Sequence, residues 1–226
     1  MRGRSRLTIL GIETSNLYLG LALDRDGEIV FDLFEKIPMR HAEVIFSRLE
    51  EMISRASLRF DKLDRIGVSI GPGMFTGLRV GLAIAKGISY AWQIPVVPVN
   101  TLDALALPYS NLGYPVVPIT DARRGMVYSA VYNGDKRISE YLLLSPDQLG
   151  DIIPPGAIVI GDGVIRCRDL VRNLTVRIPE SVPIAPRATT VVILARTSKP
   201  VSITELEPFY LKKSDAEIDH HKKDET

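Results

Sequence analysis

Two carboxylates close apolar runs and could do chemistry. Glu13 follows Ile9-Leu10-Gly11-Ile12, and Asp121 follows Val116-Val117-Pro118-Ile119-Thr120. A carboxylate at a strand end can act as a general base or a magnesium ligand when neighbouring backbone amides are free to approach phosphate oxygens. A glycine two residues after the acid gives that approach. Here the two positions hold Ser15 and Arg123. Glu13, Thr14, Ser15, Asp121 and Arg123 therefore make at most a degenerate nucleotide cleft, and turn amides satisfy such carboxylates more simply. Arg123 and Arg124, beside Asp121, are placed to meet a phosphate of a nucleotide or of RNA in a complex, or to form a solvated pair.

The run Ser69 to Gly87 reads SIGPGMFTGLRVGLAIAKG. Gly71 and Gly73 let a strand turn sharply into a helix that Thr76 can cap. A triphosphate loop needs a lysine followed by serine or threonine directly after the glycines, whereas Lys86 lies well inside the helix. Packing explains more. Gly77, Gly81, Ala85 and Ser89 recur every four residues and make a smooth stripe, while Leu78, Val80, Leu82, Ile84 and Ile88 leave the helix apolar nearly all round. Such a helix is covered on more than one side, by its sheet and by a second helix or a partner. The neighbour is the amphipathic helix His41 to Ala56, with Val44, Ile45, Leu49, Met52, Ile53 and Ala56 at helical spacing. The pair either packs within one lobe or supplies half of an intermolecular four-helix bundle. In the second case His41, Ile45, Leu49, Met52, Gly77, Leu78, Gly81, Leu82 and Ala85 form the interface.

Other chemistries find little support. His41 has Ile45 one turn on, and the remaining histidines are His220 and His221 in a charged tail, so no metal is expected. His41 reads as a capping or interface residue. Cys167 is the single cysteine, which fits core packing and a reducing cytoplasm. There is no Gly-x-Ser-x-Gly elbow and no histidine placed to activate a serine.

The elements that must hold these residues repeat. Leu7 to Glu13, Leu17 to Asp24 and Glu28 to Glu35 form an antiparallel meander, followed by a helix, the strand Arg65 to Ile70, the glycine-led helix to Trp92, the strand Pro95 to Val99 and a short helix from Thr101. Pro115 to Asp121, Met126 to Tyr132 and Arg137 to Leu144 repeat the meander. A helix near Ser145 to Leu149, the strand Ala157 to Ile160, a Gly161-Asp162-Gly163 turn and a helix Val164 to Val171 follow. At 226 residues and 46% hydrophobic, the chain can bury two small cores. The expected class is α/β with a mixed sheet in each half, resembling the two-lobed actin-like ATPase (ASKHA, ribonuclease H-like) architecture. The division falls at 1–108 and 109–226, with a loose tail after about residue 212. A formal net charge of +1 gives no global attraction to nucleic acid or anionic membrane, and no run reaches the roughly 20 apolar residues of a membrane span. A soluble cytoplasmic protein is expected.

Several motifs stand together: ILGIETS at the start, RHAE at 40–43, SIGPGMFTGLRVGLAIAKGISYA, TDARRGMVYSAVY at 120–132, GDG at 161–163 and EPFYLKKSDAE at 207–217. In this order they resemble the TsaB family, also called YeaZ, over nearly the whole chain. Glu13 and Met74 depart from the aspartate and serine usual there. The resemblance implies a non-catalytic subunit for formation of N6-threonylcarbamoyladenosine at position 37 of certain tRNAs. It implies that the helices just described pair with the catalytic homologue TsaD, that TsaE joins the complex and that tRNA is met only through it. It leaves no intrinsic cofactor, with ATP or ADP at the TsaD interface. An exposed apolar helix surface also commonly covers itself, so a homodimer through the same helices is expected when the partner is absent. The competing expectation is a small actin-like ATPase or kinase using Glu13 and Asp121 across the interlobe cleft.

Overall fold

A computed structural model describes residues 7–211. The first sheet is built on β1 (Thr8–Glu13), which pairs antiparallel with β2 (Tyr18–Arg25) and parallel with β4 (Arg65–Gly71). β3 (Glu28–Lys36) lies outside β2, and β5 (Val96–Asn100) outside β4, giving the order β3-β2-β1-β4-β5. The meander is as expected from the period-2 pattern. On β1, Leu10 and Ile12 enter one core while Ile9 enters another, which is the alternation that covers a sheet on both faces.

One face carries α1 (His41–Arg55) and α2 (Phe75–Trp92), which bury Ile45, Leu49, Met52, Leu82, Ala85 and Ile88 over β1, β2 and β4. α2 begins after Met74, so Thr76 lies in its first turn and is not the expected cap. The opposite face carries α7 (Ala188–Thr197), a helix not foreseen from sequence. It packs Ala188, Val191, Val192 and Ala195 onto Ile9, Ala22, Val97 and Val99. By packing, then, part of the 109–226 half completes the first lobe, and the lobes are not the two contiguous halves expected.

In the second lobe β6 (Pro115–Asp121) pairs antiparallel with β7 (Val127–Ser129) and β8 (Tyr132–Asn133), and parallel with β11 (Ile158–Ile160). β7 and β8 share one register against β6, Ile119 opposite Ser129 and Val116 opposite Tyr132, so they are one interrupted strand. The interruption lies where the Val131 amide donates to Ser139 Oγ at 2.9 Å. The expected third strand is split likewise into β9 (Lys136–Arg137) and β10 (Leu142–Leu144). α4 (Leu149–Ile152), α5 (Asp162–Arg166) and α6 (Arg168–Arg172) cover one face, and Cys167, 4% exposed, joins Val164 and Val171 in that core.

α3 (Thr101–Ala106) sits between the lobes. Asn100 caps it by accepting the Leu102 amide at 2.9 Å. Ala104 packs into the α7 core, and Leu102 and Leu105 into the core under β6. The carboxyl-terminal ends of β1, β4, β6 and β11 thereby open toward one interlobe crevice, the position at which α/β sheets present their sites.

Candidate functional site: the interlobe cleft and the α1–α2 face

The crevice is a cavity of 110 Å³ whose lining includes Ser15, Asn16, Thr101, Thr120, Asp121 and Asp162, with Arg123 at its edge. The hydroxyls of Ser15, Thr101 and Thr120 have no hydrogen-bond partner among the described residues, a polar lining suited to ordered water. Glu13 and Thr14 lie outside this lining, both at 0% exposure. Of the five residues expected in a nucleotide cleft, the structure brings Ser15, Asp121 and Arg123 to the cavity and buries the other two behind it.

Glu13 accepts the Ser15 amide at 2.6 Å and a short hydrogen bond from Ser69 Oγ. Burial pushes its carboxyl up, against the pull of those bonds. Asp121 is tied by charge. It accepts Arg166 Nη1 at 2.8 Å and its own loop's Arg123 amide at 2.8 Å, with the Arg123 guanidinium 3.7 Å away. Its amide donates to Asp162 at 3.0 Å, and burial pushes the Asp162 carboxyl up. Asp162 and Arg166 were not singled out from sequence. The signal was the Gly161-Asp162-Gly163 turn, which ends a strand parallel to β6 and so opens at the same edge.

The α2 N-terminus, which could receive an anion, is filled by the protein's own backbone. Met74 N donates to Ser15 O at 2.6 Å, and a Cβ on Gly77 would lie 2.1 Å from Thr14 O. A Cβ on Gly81 would meet Thr14 Oγ1 at 2.2 Å and one on Gly73 would meet Ser15 O at 2.3 Å. The glycine stripe thus serves close approach, but to the β1–β2 turn of the same lobe. A cavity of this size is also below the roughly 300–1,000 Å³ of ordinary ligand pockets.

This corrects the expected interface. His41, Ile45, Leu49, Met52, Gly77, Leu78, Gly81, Leu82 and Ala85 are all buried inside the lobe. The reason is geometric: helical periodicity says which residues share a face, and the stripe with the best packing is the one the sheet takes. His41 Nε2 lies 3.1 Å from Tyr18 O and pins the helix start to β2. A bulky residue at Gly81 would test the fold of the lobe. What α1 and α2 turn outward instead is Phe46, 62% exposed, and a stripe of Ala83, Gly87 and Tyr90, the last 71% exposed.

Among the described residues no three His, Cys, Asp or Glu side chains group so as to hold a metal ion, and no helix is long and apolar enough to cross a membrane. His220 and His221 lie outside the described residues.

Residues 35–160 match the family model described as TsaD, tRNA N6-adenosine threonylcarbamoyltransferase, which is more than half of the chain. The TsaB protein of Haemophilus influenzae is 27% identical over 91% of this chain and 94% of its own length. The TsaB protein of Bacillus subtilis is 32% identical over 63% of this chain. The chain belongs to the TsaB (YeaZ) family. Its match spans about three fifths of the Bacillus subtilis relative, 61% of that length. YeaZ from Pseudomonas aeruginosa shares this two-lobed fold at a TM-score of 0.76, with 24% identity, over 91% of this chain and 100% of that one. Within that TsaB fold, the α2 N-terminus is filled by the β1–β2 turn and the outward α1–α2 face is exposed.

Proposed function

We propose that the chain is a non-catalytic subunit in the biosynthesis of tRNA threonylcarbamoyladenosine, acting in the cytoplasm, and that it pairs with a TsaD-type transferase through the outward faces of α1 and α2. Gly87 carries the reading. A glycine inside a helix costs about 0.5–1 kcal/mol relative to alanine. Beyond its chain neighbours and the adjoining backbone of its own helix, no atom of the described residues comes within 4 Å of where a Gly87 Cβ would stand, so no packing inside the lobe uses its missing side chain. Close approach by another helix does. Ala83 one turn earlier and the aromatic rings of Tyr90 and Phe46 give such a helix a flat floor with anchors at its rim. The relatives' names supply the pathway, and descent from a shared transferase fold makes a TsaD-type protein the natural occupant. In the same reading a TsaE-type protein joins the assembly, tRNA is met through it, ATP or ADP sits where the two homologues meet, and a second copy covers the face when the partner is absent.

The test is co-purification with the TsaD-type protein of the same organism, with a tRNA modification assay. Gly87→Arg favours the isolated helix, so it should leave the monomer folded while abolishing the heterodimer and the modification that depends on it. A complex of unchanged affinity in that variant would sink the assignment of this face.

A further inference from the structure

A second surface lies on the other lobe and is independent of the pairing just proposed. Residues 177–183 begin and end on the outer edge of β11 and loop away from it in between, from Arg177 opposite Ile158 to Pro183 beside Gly161, with bends at Glu180 and Ser181. They are held at their ends only: Arg177 N donates to Ala157 O at 2.8 Å, Val159 N to Arg177 O at 3.0 Å, and Gly161 N to Pro183 O at 2.8 Å. Between them, Ile178 to Val182 make no backbone–backbone hydrogen bond among the described residues.

Beside this loop runs a groove of 490 Å³ whose walls include Ile165, Arg168 and Arg172 from α5–α6 and Ile178, Glu180 and Val182 from the loop. Ile165 is 58% and Ile178 37% exposed, an apolar pair open to solvent. Arg168 and Arg172 are exposed and form no ion pair among the described residues, whereas the nearby Arg166 is spent on Asp121. Four residues along a helix rise about 6 Å. Alternate residues of an extended strand are about 6.6 Å apart on one face. The two guanidiniums therefore match two acids separated by one residue.

We propose that this groove binds an extended peptide segment of a partner protein, carrying an apolar residue followed by two acidic residues at alternate positions. The apolar side chain enters between Ile165 and Ile178, and the acids meet Arg168 and Arg172. Charge complementarity to Arg168 and Arg172 and the apolar pair beside them point to peptide. Glu180 on the facing wall and the two isoleucines oppose the uniform negative charge of a nucleic acid strand.

The probe is the blocked octapeptide GSLSESEG, titrated into the isotope-labelled full chain and followed by amide shifts. Saturable shifts confined to residues 165–182, with a Kd below about 1 mM, are expected. The exposed charge swap Arg168→Glu with Arg172→Glu should weaken binding at least about tenfold and should bind the lysine counterpart GSLSKSKG instead. The proposal is overturned by no shift at saturating peptide, by equal affinity in the double variant, or by an eight-nucleotide oligouridylate that moves the same amides more tightly than the peptide.

Discussion

Glu13 sits at 0% exposure with its two oxygens held by the Ser15 amide and the Ser69 hydroxyl. Burial dominates those bonds and raises its pKa in the folded state. A raised carboxyl favours the folded chain while protonated. Its contribution is full below the unfolded carboxylate value near 4.3 and is lost as pH rises through the folded value. Glu13→Gln removes this titration, so its stability should fall less than that of the native chain from acid to neutral pH. Urea midpoints across that range would decide, and parallel curves for the two proteins would show that Glu13 ionises without consequence for the fold.

Among the elements, α7 shows where sequence reading stops. Thr189-Thr190-Val191-Val192-Ile193 is a β-branched run that favours a strand by local preference, and it is a helix here because the sheet face it covers admits one. Gly67 is what admits it: a Cβ there would stand 2.7 Å from Ala195 Cβ and 3.1 Å from Val191 Cγ1. Gly67→Val should push α7 from the sheet and lower stability by about 1–3 kcal/mol, read as a drop in urea midpoint. An unchanged midpoint would mean the helix has room to shift. The meander, α1 and the glycine-led α2 were legible because their periods and punctuation agree with their surroundings. The cleft was legible only in part. Asp121, Arg123 and Ser15 announce themselves at strand ends, but Asp162 reaches the same edge through a parallel pairing no local pattern reveals. The nine residues expected at a partner face turn into the lobe, since Gly77 and Gly81 look alike to any outside helix and to Thr14.

At the scale of the molecule, the lobes are joined by a polar strut as well as by packing. Asp103 on α3 accepts Tyr132 Oη at 2.6 Å and Tyr141 Oη at 2.9 Å, while Arg137 stacks 4.0 Å from the Tyr141 ring. Burial, then the Asp103 charge, push both phenols up. Asp103→Asn keeps one acceptor and loses the charge. It should cost about 1–3 kcal/mol and bring Tyr141 into titration at lower pH, seen by tyrosinate absorbance. No change in either would mean that packing alone sets the lobe angle.

The placement of α7 also imposes an order of events on synthesis. Strand β1 leaves the ribosome early, yet the helix that seals its Ile9 face is encoded roughly 180 residues later by the register of Gly11 against Ala188. The first lobe can form its α1–α2 side while the chain is still growing, but it keeps an apolar face open until the whole second lobe has emerged. A nascent chain paused between the lobes is therefore the species most exposed to aggregation and to chaperone capture.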